Sequence, residues 1–221
     1  MAQTPGNYVT VPGDSTFVIS KSRSWWMGYN YRPEWKTPVR VRVISLATEK
    51  GGLKIVKRGG GKQTRSLRVA DPTGKEYNIR SIQKFVTSAT LPGDLQSEAA
   101  EDLVADGISA SYPYAALSVA TLAKAANIPY LNAEVVYIGD DPGLGEFRKD
   151  FSNMIAYLEE KVPEGVEKGH DTEDVIEKMD EDPDNTADQY ALLRARILDM
   201  YVMDLDRHEG QWEWGKTDKE K

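Results

Sequence analysis

A chain of 221 residues, 40% of them hydrophobic, can build one large domain or one domain of two lobes with a real core. No apolar run approaches the roughly 20 residues a membrane helix needs, no secretory leader is expected at the polar, proline-broken start, and zero cysteines exclude disulfides, thiol catalysis and thiolate zinc sites. The net charge of −7 is unevenly spread, because residues 1–90 carry 16 Lys/Arg against 5 Asp/Glu while residues 91–221 carry 12 against 30.

That asymmetry predicts two lobes of opposite sign, or a cleft lined by both. A basic lobe suits nucleic acid too, but no zinc finger, helix-turn-helix or aromatic RNA-binding motif accompanies it, so no nucleic-acid partner is expected. Residues 1–24 read as an irregular lead-in, with turns at Pro5-Gly6 and Pro12-Gly13 and a short strand at Phe17-Val18-Ile19. The aromatic run from Trp25 to Trp35 suits core or lobe packing better than a platform for sugars or bases.

Residues 25–90 form the expected basic, β-rich lobe. Val39 to Ile44 alternates apolar and basic residues, with Arg40 and Arg42 facing out. Strands at 53–56, 66–69 and 76–84 follow, joined by turns at Gly51-Gly52 and Asp71-Pro72-Thr73-Gly74. Together they predict an antiparallel sheet over residues 39–84. Between two of its strands lies Lys57-Arg58-Gly59-Gly60-Gly61-Lys62, where backbone N–H groups and cations could approach a phosphate closely. It is not a Walker loop, since no Gly-Lys-Ser/Thr follows and the next element is a strand. Kinases cover the nucleotide phosphates with a glycine-rich hairpin and contact them with a lysine on a nearby strand. Gly59, Gly60 and Gly61 are therefore candidate nucleotide-binding residues, and Lys84, with Arg80 as second choice, stands where that lysine belongs. Each feature alone more often marks a plain surface loop.

From residue 91 the pattern turns helical, and residues 91–215 form the expected acidic lobe, mainly helical over 94–214. Asp94 caps a helix to about Gly107, and Glu98 or Glu101 on it is the candidate partner of the phosphate lysine. An alanine-rich helix is expected at 113–126, a lone strand at 133–138 where a kinase hinge strand belongs, and an amphipathic stretch, read as helix, at 147–161. Residues 162–188 read as a mobile or loosely helical acidic insertion, with His170 a solvated loop histidine. Near Asp188 the chain re-enters helix, with Ile197, Met200, Tyr201 and Asp204 at helical spacing.

That helix runs into Asp206-Arg207-His208-Glu209-Gly210-Gln211-Trp212-Glu213-Trp214. An acid, a guanidinium and an imidazole in sequence are the groups a phosphoryl-transfer site uses to orient a hydroxyl and hold a catalytic loop. A solvent-exposed turn closing a helix is the plainer alternative, because short motifs match by chance often. The spacing resembles the catalytic loop of atypical kinases of the lipid-kinase-like and secreted-kinase-like types. The resemblance implies Asp206 as catalytic base, with Arg207 and His208 in the same loop, and the residue five positions after the base as a metal assistant. Those families place Asn or an acid there; Gln211 is a neutral amide, a weaker ligand for a hard cation than a carboxylate.

Taken together, residues 28–35, 59–68, 77–84, 112–117 and 195–214 resemble an uncharacterised kinase-like domain of Bacteroidota envelope proteins, over roughly residues 25–214. That resemblance implies an extracytoplasmic setting and metallophosphoesterase or outer-membrane barrel modules as companions. It also implies an Asp-Arg-Asp segment after the tryptophans, with a magnesium-binding aspartate, before which this chain stops, as a fragment would. The expectation is an α+β, two-lobed kinase-like fold that binds a nucleotide, ATP with Mg2+, or another phosphorylated ligand in an interlobe cleft. Two functions fit: a phosphotransferase acting on an unspecified acceptor, or a non-catalytic scaffold or interaction module.

Overall fold

The computed structural model describes residues 7–17, 20–59, 64–85, 97–163 and 169–216. Strand β1 (Tyr8–Val11) and helices α1 (Lys21–Met27) and α2 (Arg32–Lys36) open the chain. Strands β2 (Val39–Ile44), β3 (Lys54–Gly59), β4 (Ser66–Ala70) and β5 (Glu76–Ser81) follow. Next come helices α3 (Glu98–Ile108) and α4 (Ala115–Ala125), strand β6 (Ala133–Ile138), the one-turn helix α5 (Arg148–Phe151) and strand β7 (Met154–Glu160). The remainder is β8 (Gly169–His170), α6 (Thr172–Glu181), α7 (Gln189–Tyr201) and β9 (Trp214–Gly215). The architecture is mixed α+β, with seven α-helices among the described residues.

Seven strands share one mixed sheet in the order β1-β2-β6-β7-β5-β4-β3. The meander β3–β4–β5 is antiparallel as expected, with Leu67 facing Ile79 and Val69 facing Tyr77. The expected self-contained sheet over residues 39–84 is corrected. β2 lies parallel to β6, and β6 and β7 separate it from β5. The 147–161 stretch is corrected as well, for only Arg148–Phe151 is helical and Met154–Glu160 is a strand buried on both faces. Its run Met154-Ile155-Ala156-Tyr157-Leu158 has no polar alternation, and such a run fits a buried strand as well as a helix.

The lead-in is less irregular than expected, because β1 pairs antiparallel with β2. Of the strand expected at 17–19, Val18 and Ile19 lie outside the described residues, and Phe17 is not in a strand. The acidic 162–188 segment contains the helix α6, capped by Asp171, whose side chain accepts from Asp174 N. Asp94 lies outside the described residues, and the cap of α3 is Ser97, which accepts from Ala100 N. The aromatic run divides: Trp35 is buried and donates from Nε1 to Ser111 O at 2.8 Å, whereas Trp25, Trp26 and Tyr29 are exposed.

The chain separates into two compact units, residues 1–115 with 133–159, and residues 116–132 with 160–221. The expected boundary at 90/91 therefore falls inside the first unit. The first unit's core lies on one sheet face, where Ile44, Leu67, Val69, Ile79, Val136, Ile138, Met154 and Leu158 meet Leu46, Leu53, Leu144 and Phe151. Asp141 ties two of the covering loops together: its Oδ2 accepts from Leu46 N at 2.6 Å and its Oδ1 from Gly143 N at 2.8 Å. The second unit holds α4, α6 and α7. Here Arg194 at the middle of α7 donates to Asn127 O, past the end of α4.

Two predictions follow from these ties. Asp141→Ala removes a buried acceptor shared by two amides and should cost about 2–3 kcal/mol in urea unfolding; a loss under half of that would mean that the loops are held by packing alone. Arg42 on β2 bonds both Glu134 on β6 and Glu49, at 2.6–2.8 Å, and holds the Glu134 carboxyl below its ordinary value of 4.5. The stabilisation is therefore complete above that value and is lost as pH falls through the depressed one. Glu134→Gln should flatten the acid side of the melting-temperature profile, and a profile parallel to wild type would count against the pairing.

Candidate functional site

The predicted residues fall into two groups, one in each compact unit. In the first unit, Gly59 ends β3 opposite Ser66 of β4. A Cβ added at Gly59 would meet Ser66 Oγ at 3.8 Å, ordinary contact, so packing does not require glycine there. Gly60 and Gly61 lie outside the described residues, as does the side chain of Glu98, the first residue of α3.

Arg80 occupies the fifth position of β5. Its Nη2 donates to Glu159 Oε1 of β7 at 2.5 Å, and its guanidinium lies 5.7 Å from the centre of the Tyr157 ring. Its Nε is buried and has no hydrogen-bond partner among the described residues. Lys84 stands just beyond the strand, which ends at Ser81 rather than running to residue 84. The Lys84 ammonium is half-buried, and its pKa is pushed below the ordinary lysine value, by burial first and by the neighbouring Arg80 charge second. The acid that the structure brings to Arg80 is Glu159. It hid inside a segment whose pattern read as helix, and the apolar run before it offers no polar alternation that could have exposed it.

In the second unit, α7 ends at Tyr201 and Met203 takes a left-handed backbone conformation at φ 60°. The turn that follows is held by arginines. Asp199 is buried; its Oδ2 accepts from Arg196 Nη1 at 3.0 Å, and its Oδ1 lies 3.3 Å from Arg207 Nη2. The same Arg207 nitrogen lies 2.7 Å from Asp204 Oδ2. Both guanidinium groups stand over the Trp212 ring, 5.9 Å and 5.6 Å from its centre. His208 Nδ1 accepts from Gly210 N at 3.2 Å, so the imidazole caps the turn at 209–211.

Two further ties complete the brace. Trp214 Nε1 donates to Thr172 Oγ1, and that hydroxyl donates to Glu209 O at 2.8 Å. The rings of Trp212 and Trp214 sit 6.2 Å apart, as alternate residues of an extended segment should. Asp206 and Gln211 are exposed, and neither side chain has a bonded partner among the described residues. The loop is thus fixed by Arg207 and His208 while the Asp206 carboxylate remains open to solvent. Asp206 thus stands in a solvent-exposed turn that follows α7.

In the first group, Arg80 Nε is buried without a hydrogen-bond partner among the described residues and the Lys84 ammonium is half-buried. For a metal, Gln211 offers a single amide oxygen, and no group of three or more His, Cys, Asp or Glu among the described residues is arranged to hold an ion. His170 Nδ1 lies 2.9 Å from Lys178 Nζ and 3.6 Å from Asp174, a local surface contact. A shallow depression lined by Glu173, Ile176, Glu177, Asp180 and Glu181 belongs to α6 alone; one face of one helix encloses no ligand. No helix of the described residues is long and apolar enough to cross a membrane. No protein-family model, curated protein or solved structure matches this chain.

The brace around Asp199 predicts local consequences. In Asp199→Ala, Arg196 and Arg207 lose their shared acid, and because both guanidiniums are partly exposed the global cost should be only about 1 kcal/mol. Amide hydrogen exchange over residues 204–215 should quicken while that of β4 and β5 stays at wild-type rates. Uniform quickening, or none, would show that Asp199 does not organise this loop.

Proposed function

We propose that this chain is kinase-like, with the first unit binding nucleotide phosphates and the Asp206 loop orienting a hydroxyl for phosphoryl transfer. The observation that carries the reading is the order of parts along β3–β4–β5. Three antiparallel strands follow one another, the glycine run lies in the sequence between the first two, and a half-buried lysine comes directly after the third. Protein kinases cover the phosphates with a glycine-rich loop and contact them with a lysine on the third strand.

In the second unit, Asp206 is the group that would take the proton of a hydroxyl nucleophile. Arg207 and His208 hold that carboxylate in place, since a few tenths of an ångström of drift at a base is costly. Gln211, a single amide oxygen with no cluster of carboxylates arranged beside it among the described residues, would be a weak partner for a magnesium ion. The motif resemblance supports an extracytoplasmic setting beside metallophosphoesterase or barrel modules. One observation favours the non-catalytic interaction module instead: Tyr190, Leu193, Ile197 and Met200 line one face of α7 at 3-4-3 spacing and are all exposed.

Calorimetry with Mg-ATP tests the nucleotide half. Wild type should bind, and Lys84→Ala should bind at least tenfold more weakly. The pH dependence has a fixed sign, because an anion favours the charged ammonium: affinity should fall as pH rises through the depressed Lys84 value toward 10.5. Over the same range the ligand-free protein should gain stability, since its unfolded state binds the extra proton. Equal affinity in both proteins, or no binding at millimolar nucleotide, ends the reading. Asp206→Asn tests the other half, and should abolish transfer while leaving the melting temperature and nucleotide affinity unchanged.

A further inference from the structure

On the sheet face opposite the hydrophobic cluster, β3, β4 and β5 carry a row of cations. Lys57 of β3 stands directly opposite Arg68 of β4, and Arg68 stands opposite Asn78 of β5. Arg80 faces Ser66, so Arg68 and Arg80 are diagonal neighbours at about 7–8 Å between Cα atoms. Lys84 continues the row, near enough to Arg80 for the two charges to repel. Like charges directly opposite on adjacent strands destabilise a sheet. A row of them needs a reason.

The described counter-charges do not supply it. Glu159 neutralises Arg80 through one nitrogen. Glu76 stands 3.9 Å from Arg68, outside hydrogen-bond range. The Nε atoms of Arg68 and Arg80 are both buried without a hydrogen-bond partner among the described residues, although buried donors are nearly always bonded. Lys57 is exposed with no ion pair among the described residues. Two unsatisfied donors, a half-buried ammonium and a facing pair of cations lie along one side of three strands. That side spans two interstrand spacings, about 9–10 Å. A single phosphate is too small to touch the whole row, and a chain of phosphates is not.

We propose that this face binds the polyphosphate chain of the ligand, with Arg68 and Lys57 as binding residues that extend the contact begun by Lys84 and Arg80. The inference rests on the nucleotide reading above and deepens it. It adds Arg68, from a strand on which no phosphate contact was foreseen, places Lys57 of the glycine-flanking run on the same face, and makes the phosphates, rather than the base or sugar, the part of the ligand that determines affinity. A guanidinium such as that of Arg68 suits a phosphate, to which its planar fork can offer two donors.

The test is calorimetry with sodium tripolyphosphate and, separately, with Mg-ATP, on wild type, Arg68→Gln, Lys57→Gln and Arg68→Lys. Wild type should bind tripolyphosphate, Arg68→Gln and Lys57→Gln should each bind it at least fivefold more weakly, and Arg68→Lys should fall between. Melting temperatures of the ligand-free proteins separate ligand binding from scaffolding. Relief of like-charge repulsion should leave Arg68→Gln at or above wild type, whereas a purely structural Arg68–Glu76 pair would lower it. Tripolyphosphate binding that is absent, or equal in wild type and both Gln variants, overturns the inference. If Mg-ATP binds all four proteins equally, the nucleotide reading survives and the inference fails. Arg68-dependent tripolyphosphate binding with no binding of Mg-ATP leaves the inference standing and removes the nucleotide reading.

Discussion

The burial of β7 on both faces is what the first unit depends on. Met154, Ala156 and Leu158 turn into the hydrophobic cluster, and by the two-residue period of a strand Ile155, Tyr157 and Glu159 turn to the opposite face. One strand therefore closes the core, joins β5 to β6, and delivers the carboxylate that meets Arg80. Without it the meander β3–β4–β5 would be a separate three-stranded ribbon, detached from β6 and β2. The geometry of the cations is thus a product of a strand far from them in the chain.

Local chemistry was legible in the sequence where the partners are local. Leu67, Val69, Tyr77 and Ile79 alternate with polar neighbours, and the antiparallel meander follows from that period. Around Asp206 the bracing acids lie within eight residues of Arg207, so a loop held by its own arginine could be read directly. β6 and β7 could not be placed this way. A fully buried strand loses its polar alternation, and the parallel pairing of β6 with β2 joins segments about ninety residues apart with no turn between them to announce it. Glu159 and Arg68 were missed for the same reason, since each acquires its neighbours only when the sheet is assembled.

The two groups of candidate residues differ in how their charge is answered. Arg196 and Arg207 share Asp199, Arg207 also has Asp204, and both stand over an indole. Those cations are occupied with holding a loop. Arg68 and Lys84 have far less opposing them among the described residues and are partly buried, which raises the cost of each missing partner, although Arg207 Nε too is buried without a hydrogen-bond partner among the described residues. A protein tolerates unanswered charge mainly where something from outside supplies the answer, and the proposal of a phosphate site in the first unit rests on that difference.

β3 is also an edge of the sheet, and edges invite pairing with another chain. This one carries Lys54, Lys57 and Arg58 and a break in register between Ile55 and Lys57. Charge and irregularity together keep a second β3 from docking alongside. A polyanion lying on the neighbouring face would neutralise part of that charge. Solubility and ligand occupancy are then linked through one strand, so a preparation saturated with polyphosphate would meet its aggregation limit at a lower protein concentration than the free form.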